Sequence, residues 1–283
     1  MNTMLNSFIT EITSMDRPII DLLPTDLTST LIWSERLLSI AVIQQTIELL
    51  MIRSTWNDHG IWRWSTLKKE FQSPLYSAVF STNGFTILLA LRLLSAALIW
   101  FTPCTTLNVF LFLSTWLISI RWRGLFNGGS DSMTVVVSIG LCLARATIDH
   151  PAIAKYALSY IALQLTLSYF VAGWVKMKNP EWRSGIAMPV FLKTPRYDSP
   201  PELIRSLFAN PLRAKVISRL IMMLECSFPL AWWSPNLCLP LLSLALIFHV
   251  LNFWIFGLNR FVFAWLAAYP ALYFWSQQHD TMC

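Results

Sequence analysis

The twenty residues from Tyr156 to Val175 contain no aspartate, glutamate, lysine or arginine. That is about the length of helix needed to cross the hydrocarbon core of a bilayer. At Lys176 the run stops, and Lys178, Pro180, Glu181, Trp182 and Arg183 follow at once. A segment this long and apolar cannot be a strand of a soluble sheet. It also lacks the alternation of a barrel strand, so a helix is the form that satisfies its backbone inside lipid. Similar runs recur and predict spans at about 31–52, 82–102, 105–120, 132–148, 156–175, 216–233, 237–256 and 261–275. The expected fold is all-α: a polytopic integral membrane helical bundle of about eight transmembrane helices.

Composition points the same way. Of 283 residues, 55% are hydrophobic and only 13% charged, against about 25% charged in soluble domains. No polar block is long enough for a separate soluble domain. One transmembrane domain is expected over 30–283, preceded by an amphipathic interfacial segment over 1–29. There Met1, Met4, Leu5, Phe8, Ile9 and Ile12 share one helical face before Pro18 and Pro24 break the chain. That start has no basic region and no small-residue cleavage site, so it does not read as a signal peptide. The net charge of +6 suits topology and contact with anionic membrane lipids, not nucleic acid. Fourteen tryptophans suit the two interfaces. Most basic loop residues follow spans one, three, five and seven, which by the positive-inside rule places both termini outside. The five cysteines have no C-x-x-C spacing and read as packing residues, and the four histidines have no metal-ligand spacing, so no metal is expected.

Polar residues at membrane depth are costly and are functional candidates for that reason. Arg92, Glu225, His249 and Asn252 each interrupt an apolar run. His249 and Asn252 are three apart and share a helix face. The structural alternatives are pairing of Arg92 with Glu225 or Glu48, and a bond from His249 to a neighbouring carbonyl. Lys176 has two readings as well. A lysine at a helix end commonly snorkels to the interface. A desolvated one, ringed here by Tyr169, Trp174 and Trp182, can act as a general base. Lys176, Glu225, His249 and Asn252 are expected to line one cavity between the fifth, sixth and seventh spans.

Four stretches in order carry a resemblance. They are R-W-R-G-L-F-N-G-G-S-D (121–131), Y-F-V-A-G-W-V-K-M-K-N-P-E-W-R-S-G (169–185), M-L-E-C-S-F-P-L (223–230) and F-H-V-L-N-F-W-I-F-G-L-N-R-F (248–261). W-N-D-H-G-I-W (56–62) is a weaker fifth. Together they resemble the HTTM membrane domain family, which includes the vitamin K-dependent gamma-carboxylases. The resemblance implies that Lys176 stands where the carboxylases keep the lysine that deprotonates reduced vitamin K, with His249 and Glu225 as further catalytic residues. It also implies that Tyr169, Trp182, Asn127 and Asn252 border a site for a reduced, vitamin K-like quinone. Two departures count against gamma-carboxylation itself. Asn127, Gly128 and Gly129 stand where the carboxylase has a histidine after paired asparagines. No large extramembrane substrate-gripping domain is expected up to Cys283.

Two functions of different classes follow. One is a carboxylase-like membrane enzyme that uses a quinone-like lipid cofactor or modifies a peptide, with Lys176 as base. The other is a non-catalytic membrane subunit that matures, escorts or binds a secreted or membrane peptide or protein. The resemblance to short bacterial members places either in the cell membrane as a multi-pass protein, the bacterial inner membrane being expected.

Overall fold

A computed structural model describes residues 24–67, 73–124, 128–193 and 202–280. The expected interfacial face over residues 1–12 lies outside them. The described residues form helices and no strands. Nine helices carry the architecture: α1 Leu27–Met51, α2 Thr82–Leu98, α3 Thr105–Arg121, α4 Gly129–Ala146, α5 Pro151–Lys178, α6 Pro211–Ser227, α7 Pro235–Phe256, α8 Asn259–Leu266 and α9 Tyr269–Asp280. Shorter helices fill the connections, including Pro74–Phe80, Pro180–Ser184, Ala187–Leu192 and Glu202–Ala209.

The helices start where the residue chemistry says they should. Asp26 caps α1 by accepting hydrogen bonds from the backbone N–H groups of Thr28 and Ser29, at 2.8 and 3.0 Å. The Ser29 side chain, with these backbone groups, holds the Asp26 carboxyl below the usual aspartate range. Asn210 caps α6 in the same way, and prolines at the first or second position open α5, α6 and α7. Prolines also explain two differences from the expected spans. The run 261–275 is broken into α8 and α9, with Pro270 in the first turn of the second piece. The run 216–233 is α-helical only to Ser227 and continues as a 3₁₀ turn over Phe228–Trp232. Pro229 has no N–H for the ladder, and its ring crowds the carbonyl four residues back, that of Glu225.

Two described helices, α5 and α7, are long and apolar enough to cross a membrane. Pro74–Phe80 and α2 make a third candidate if that pair, bent by 70°, is one span. The eight expected spans are therefore reduced to two or three by length and apolar character. For α1 the reason is visible. Its polar residues are consumed within the protein. Glu35 takes Arg145 and the side-chain amide of Asn108, Gln45 and Thr46 take Arg92, and Glu48 takes Arg260 and Asn259. Mean hydropathy reflects the charge and not the partner.

Helix α5 is the central post, packed against α4, α6 and α9, while α1 packs against α2, α4, α8 and α9. The main core is built of their small and aliphatic residues, such as Leu38, Val42, Val137, Leu158, Ile161 and Leu165. Helix α7 is apolar except on the face of His249 and Asn252 and turns most of its surface outward. Leu244, Ile247, Val250, Phe253 and Trp254 are exposed there, as on a helix bathed in lipid.

Arg92 does not pair with Glu225 or Glu48. Fully buried, it donates to Thr46 Oγ1 at 3.1 Å, Gln45 Oε1 at 3.1 Å and Thr115 Oγ1 at 2.9 Å, tying α1, α2 and α3 together. Glu225 and Glu48 are instead paired with Lys176 and Arg260. Replacing Arg92 by alanine takes the donor from Gln45 Oε1, while the Thr46 and Thr115 hydroxyls keep their bonds to backbone carbonyls, and a buried polar group left without a partner costs about 1–3 kcal/mol. Arg92→Ala is expected to lower the thermal unfolding midpoint of the detergent-solubilised protein, whereas the exposed Arg53→Ala leaves it unchanged.

Candidate functional site

The candidate site forms where the C-terminal end of α5 meets α6, α7 and the short helices over 180–192. Helices α5 and α6 approach closely at Gly173. A Cβ there would lie 2.8 Å from both Cys226 Sγ and Glu225 Cβ, and 2.9 Å from the Cys226 backbone nitrogen. Three residues on, nearly a turn later, Lys176 reaches across and its Nζ forms an ion pair with Glu225 Oε1. Glu225 is 2% exposed. Its other oxygen, Oε2, is buried without a hydrogen-bond partner. The ammonium also lies 5.2 Å from the centre of the Trp182 ring, a cation–π distance. Lys176 is thus turned inward, toward a carboxylate and an aromatic face. The neighbouring Lys178 instead lies over Trp174, at 4.9 Å.

The Lys176 side chain borders a cavity of about 190 Å³, walled by Trp182, Met188, Phe191, Phe248, Asn252 and Phe256. Lys176, Trp182 and Asn252 are thereby brought together. Glu225 touches this site through Lys176 and is not part of the wall. His249 is absent from the wall as well, so the expected shared cavity holds only part of the predicted set.

His249 belongs to a second, buried cluster. Its Nε2 lies 2.7 Å from the Tyr169 hydroxyl, which lies 3.0 Å from the Tyr269 hydroxyl. The expected carbonyl partner of His249 is replaced by this hydroxyl pair, and its Nδ1 is buried with no partner. Aromatic rings close the cluster: Phe228 stacks on Tyr169 at 3.7 Å, and Trp265 lies 5.2 Å from His249. Tyr169 is therefore not one of a ring around Lys176, as expected, because its hydroxyl is drawn to His249 two turns earlier on α5. Asn127 lies outside the described residues.

Arg260 and Tyr269 are not among the residues that the sequence singles out. Arg260 is buried and pairs with Glu48 and, at 3.2 Å, with Asp131. It thereby binds the start of α4, the end of α1 and the start of α8. The signal was present: Asp131 sits in the N-G-G-S-D stretch and Arg260 in the L-N-R-F stretch, and buried charges require partners.

The pair at the site sets an expectation for stability. Removing one member leaves the other charge without its partner, which for buried pairs costs about 3–5 kcal/mol, whereas removing both avoids that penalty. In a double-mutant cycle of Lys176→Met and Glu225→Gln, the double variant is expected to unfold at a higher temperature than the two single losses sum to. Strict additivity would show that the two side chains do not interact.

A profile of the HTTM domain matches residues 132–277, spanning Tyr169, Lys176, Trp182, Glu225, His249 and Asn252. No curated protein and no solved structure matches the chain. The match covers more than half of the sequence, and the chain belongs to the HTTM domain family.

Proposed function

We propose that the chain is a multi-pass membrane enzyme in which Lys176, held by Glu225, accepts a proton from a ligand seated in the aromatic cavity at the end of α5. The observation that carries this reading is the inward lysine. An interfacial anchor directs its ammonium to water, whereas Lys176 Nζ is held by a buried carboxylate at the wall of a cavity. The arrangement follows the logic of an activated base, in which a second group orients the one that reacts. Passing a proton from Nζ to Glu225 Oε1 converts the ion pair into a neutral amine and a neutral acid. The lone pair so released faces Glu225 Oε1, and rotation about the Cε–Nζ bond turns it toward the cavity that Lys176 borders. An uncharged pair is also the form least penalised by removal from water.

The cavity residues fit a reduced quinone of the kind the family implies. Trp182, Phe191 and Phe248 offer flat apolar faces, and the Lys176 amine is the base that an acidic ring hydroxyl would meet. At about 190 Å³ the space is smaller than the roughly 300–1,000 Å³ of sites that enclose a drug-sized ligand. It suits a ring head group whose tail leaves toward lipid. When bound, such a group would supply the redox chemistry that no side chain here provides. Asn252, at the cavity wall, would orient it. His249 and Tyr169 would act on the far side of Phe248 by holding α5 and α7 in register.

A second reading has its own observation. Gly173 packs so tightly on Glu225 and Cys226 that the Lys176 pair can serve as a clamp between α5 and α6, in a subunit that escorts a peptide or protein partner and performs no chemistry. Lys176→Arg separates the two readings. Arginine keeps the charge and can hold Glu225, but it does not deprotonate in proteins. With membrane vesicles bearing the protein and naphthohydroquinone added in air-saturated buffer, dissolved oxygen being the oxidant, Lys176→Arg is expected to abolish protein-dependent hydroquinone consumption at unchanged expression and thermal midpoint. Full consumption in that variant would leave the clamp as the role of Lys176.

A further inference from the structure

Beside the Lys176 cavity lies a second hollow that the proposed chemistry does not use. It is a groove of about 530 Å³ between the short helices Ala187–Leu192 and Glu202–Ala209 and the start of α6. Its walls are apolar, formed by Ile186, Val190, Phe208 and Ala214, and Lys193 and Arg205 stand at it. Both cations are exposed and neither is in an ion pair among the described residues. We propose that this groove binds one anionic phospholipid, its phosphate between Lys193 and Arg205 and an acyl chain along Ile186, Val190 and Phe208.

Three observations favour that occupant. The first is charge. Between residues 178 and 219 the described chain has seven lysines and arginines and two glutamates, and anionic headgroups attract such clusters. The second is apolar exposure beside that charge. Ile186, Val190 and Leu203 are 58%, 58% and 70% exposed. The Glu202–Ala209 helix buries Ile204 and Phe208 on its inner side, as a helix lying in an interface does. The third is position. The groove is formed directly after the end of α5, a helix long enough to cross the bilayer, and so at the depth where headgroups begin.

The groove depends on a close approach. Gly185 has φ +85°, and a Cβ there would lie 2.5 Å from the Lys215 backbone. Glycine lets the Pro180–Ser184 helix turn sharply into Ala187–Leu192 across the start of α6. That second short helix is shared by both hollows. Met188 and Phe191 wall the Lys176 cavity, while Ile186, Val190 and Leu192 face the groove. A lipid seated in the groove would hold in place the helix that closes the Lys176 cavity. The lipid proposal itself does not require Lys176 to be a base.

The test is lipid retention by the full chain. Protein extracted from vesicles of mixed phosphatidylcholine and phosphatidylglycerol is analysed by native mass spectrometry. The wild type is expected to retain one phosphatidylglycerol in preference to phosphatidylcholine. Each cation removed at a membrane surface should weaken retention by about five-fold, so Lys193→Gln with Arg205→Gln should lose it. Val190→Trp, which fills the apolar wall and leaves the charge unchanged, should lose it too. Lys178→Gln with Arg219→Gln, elsewhere in the same basic stretch, should keep it. Equal loss in this last pair would mean a diffuse surface field and would overturn the site. Retention in both groove variants would overturn it as well, as would displacement of the lipid by inorganic phosphate alone, which would mark a free-anion site.

Discussion

A carboxylate inside an apolar bundle must meet a cation or several donors, and here each such meeting joins helices far apart in sequence. Glu35 of α1 binds Arg145 of α4. Glu48 at the other end of α1 binds Arg260 of α8, which also takes Asp131 of α4. Glu225 of α6 binds Lys176 of α5. These bonds matter for specificity because lipid supplies little hydrophobic drive to choose one helix neighbour over another. Apolar packing among leucines and alanines would tolerate several arrangements, whereas a stranded charge tolerates few. The partners of α1 are fixed toward both of its ends, with Arg92 adding to the Glu48 end through Gln45 and Thr46, less than a turn earlier.

The helical character and most helix positions were legible in the sequence, because apolar runs and prolines act locally. The run Tyr156–Val175 lies inside α5, and the predicted 237–256 matches α7 within two residues. What sequence could not supply was which polar residue answers which. Arg92 had two carboxylates as candidate partners and took neither, since Arg260 and Lys176 stand nearer to them in the fold. The breaks at Pro229 and Pro270 were also missed. The runs containing them are apolar enough to read as continuous, and a proline in each is what divides them, by its missing N–H and by its ring against the preceding turn.

The site was legible in part for a related reason. The A-G-x-x-K spacing around Lys176 and the E-x-x-x-P spacing after Glu225 are short-range patterns, and both lead to the same pair. His249 and Asn252 were grouped with that pair because they share a face of α7. A shared face does not mean a shared pocket. His249 lies deep enough to reach Tyr169, while Asn252, nearly a turn nearer the end of α7, reaches the cavity of Lys176.

The geometry of the pair rests on three residues that do no chemistry by charge. Gly173 removes the side chain that would hold α6 away from α5. Pro229 ends the α-helical ladder just beyond Glu225 and turns the chain into the 3₁₀ segment, so that Phe228 swings under Tyr169. Trp182, brought back by the turn at Pro180, covers the amine from the opposite side. Enlarging Gly173 would displace the carboxylate from the amine without altering either. A proton-accepting site built this way is sensitive to helix spacing on the scale of a methyl group, even though its two ionisable residues remain in place.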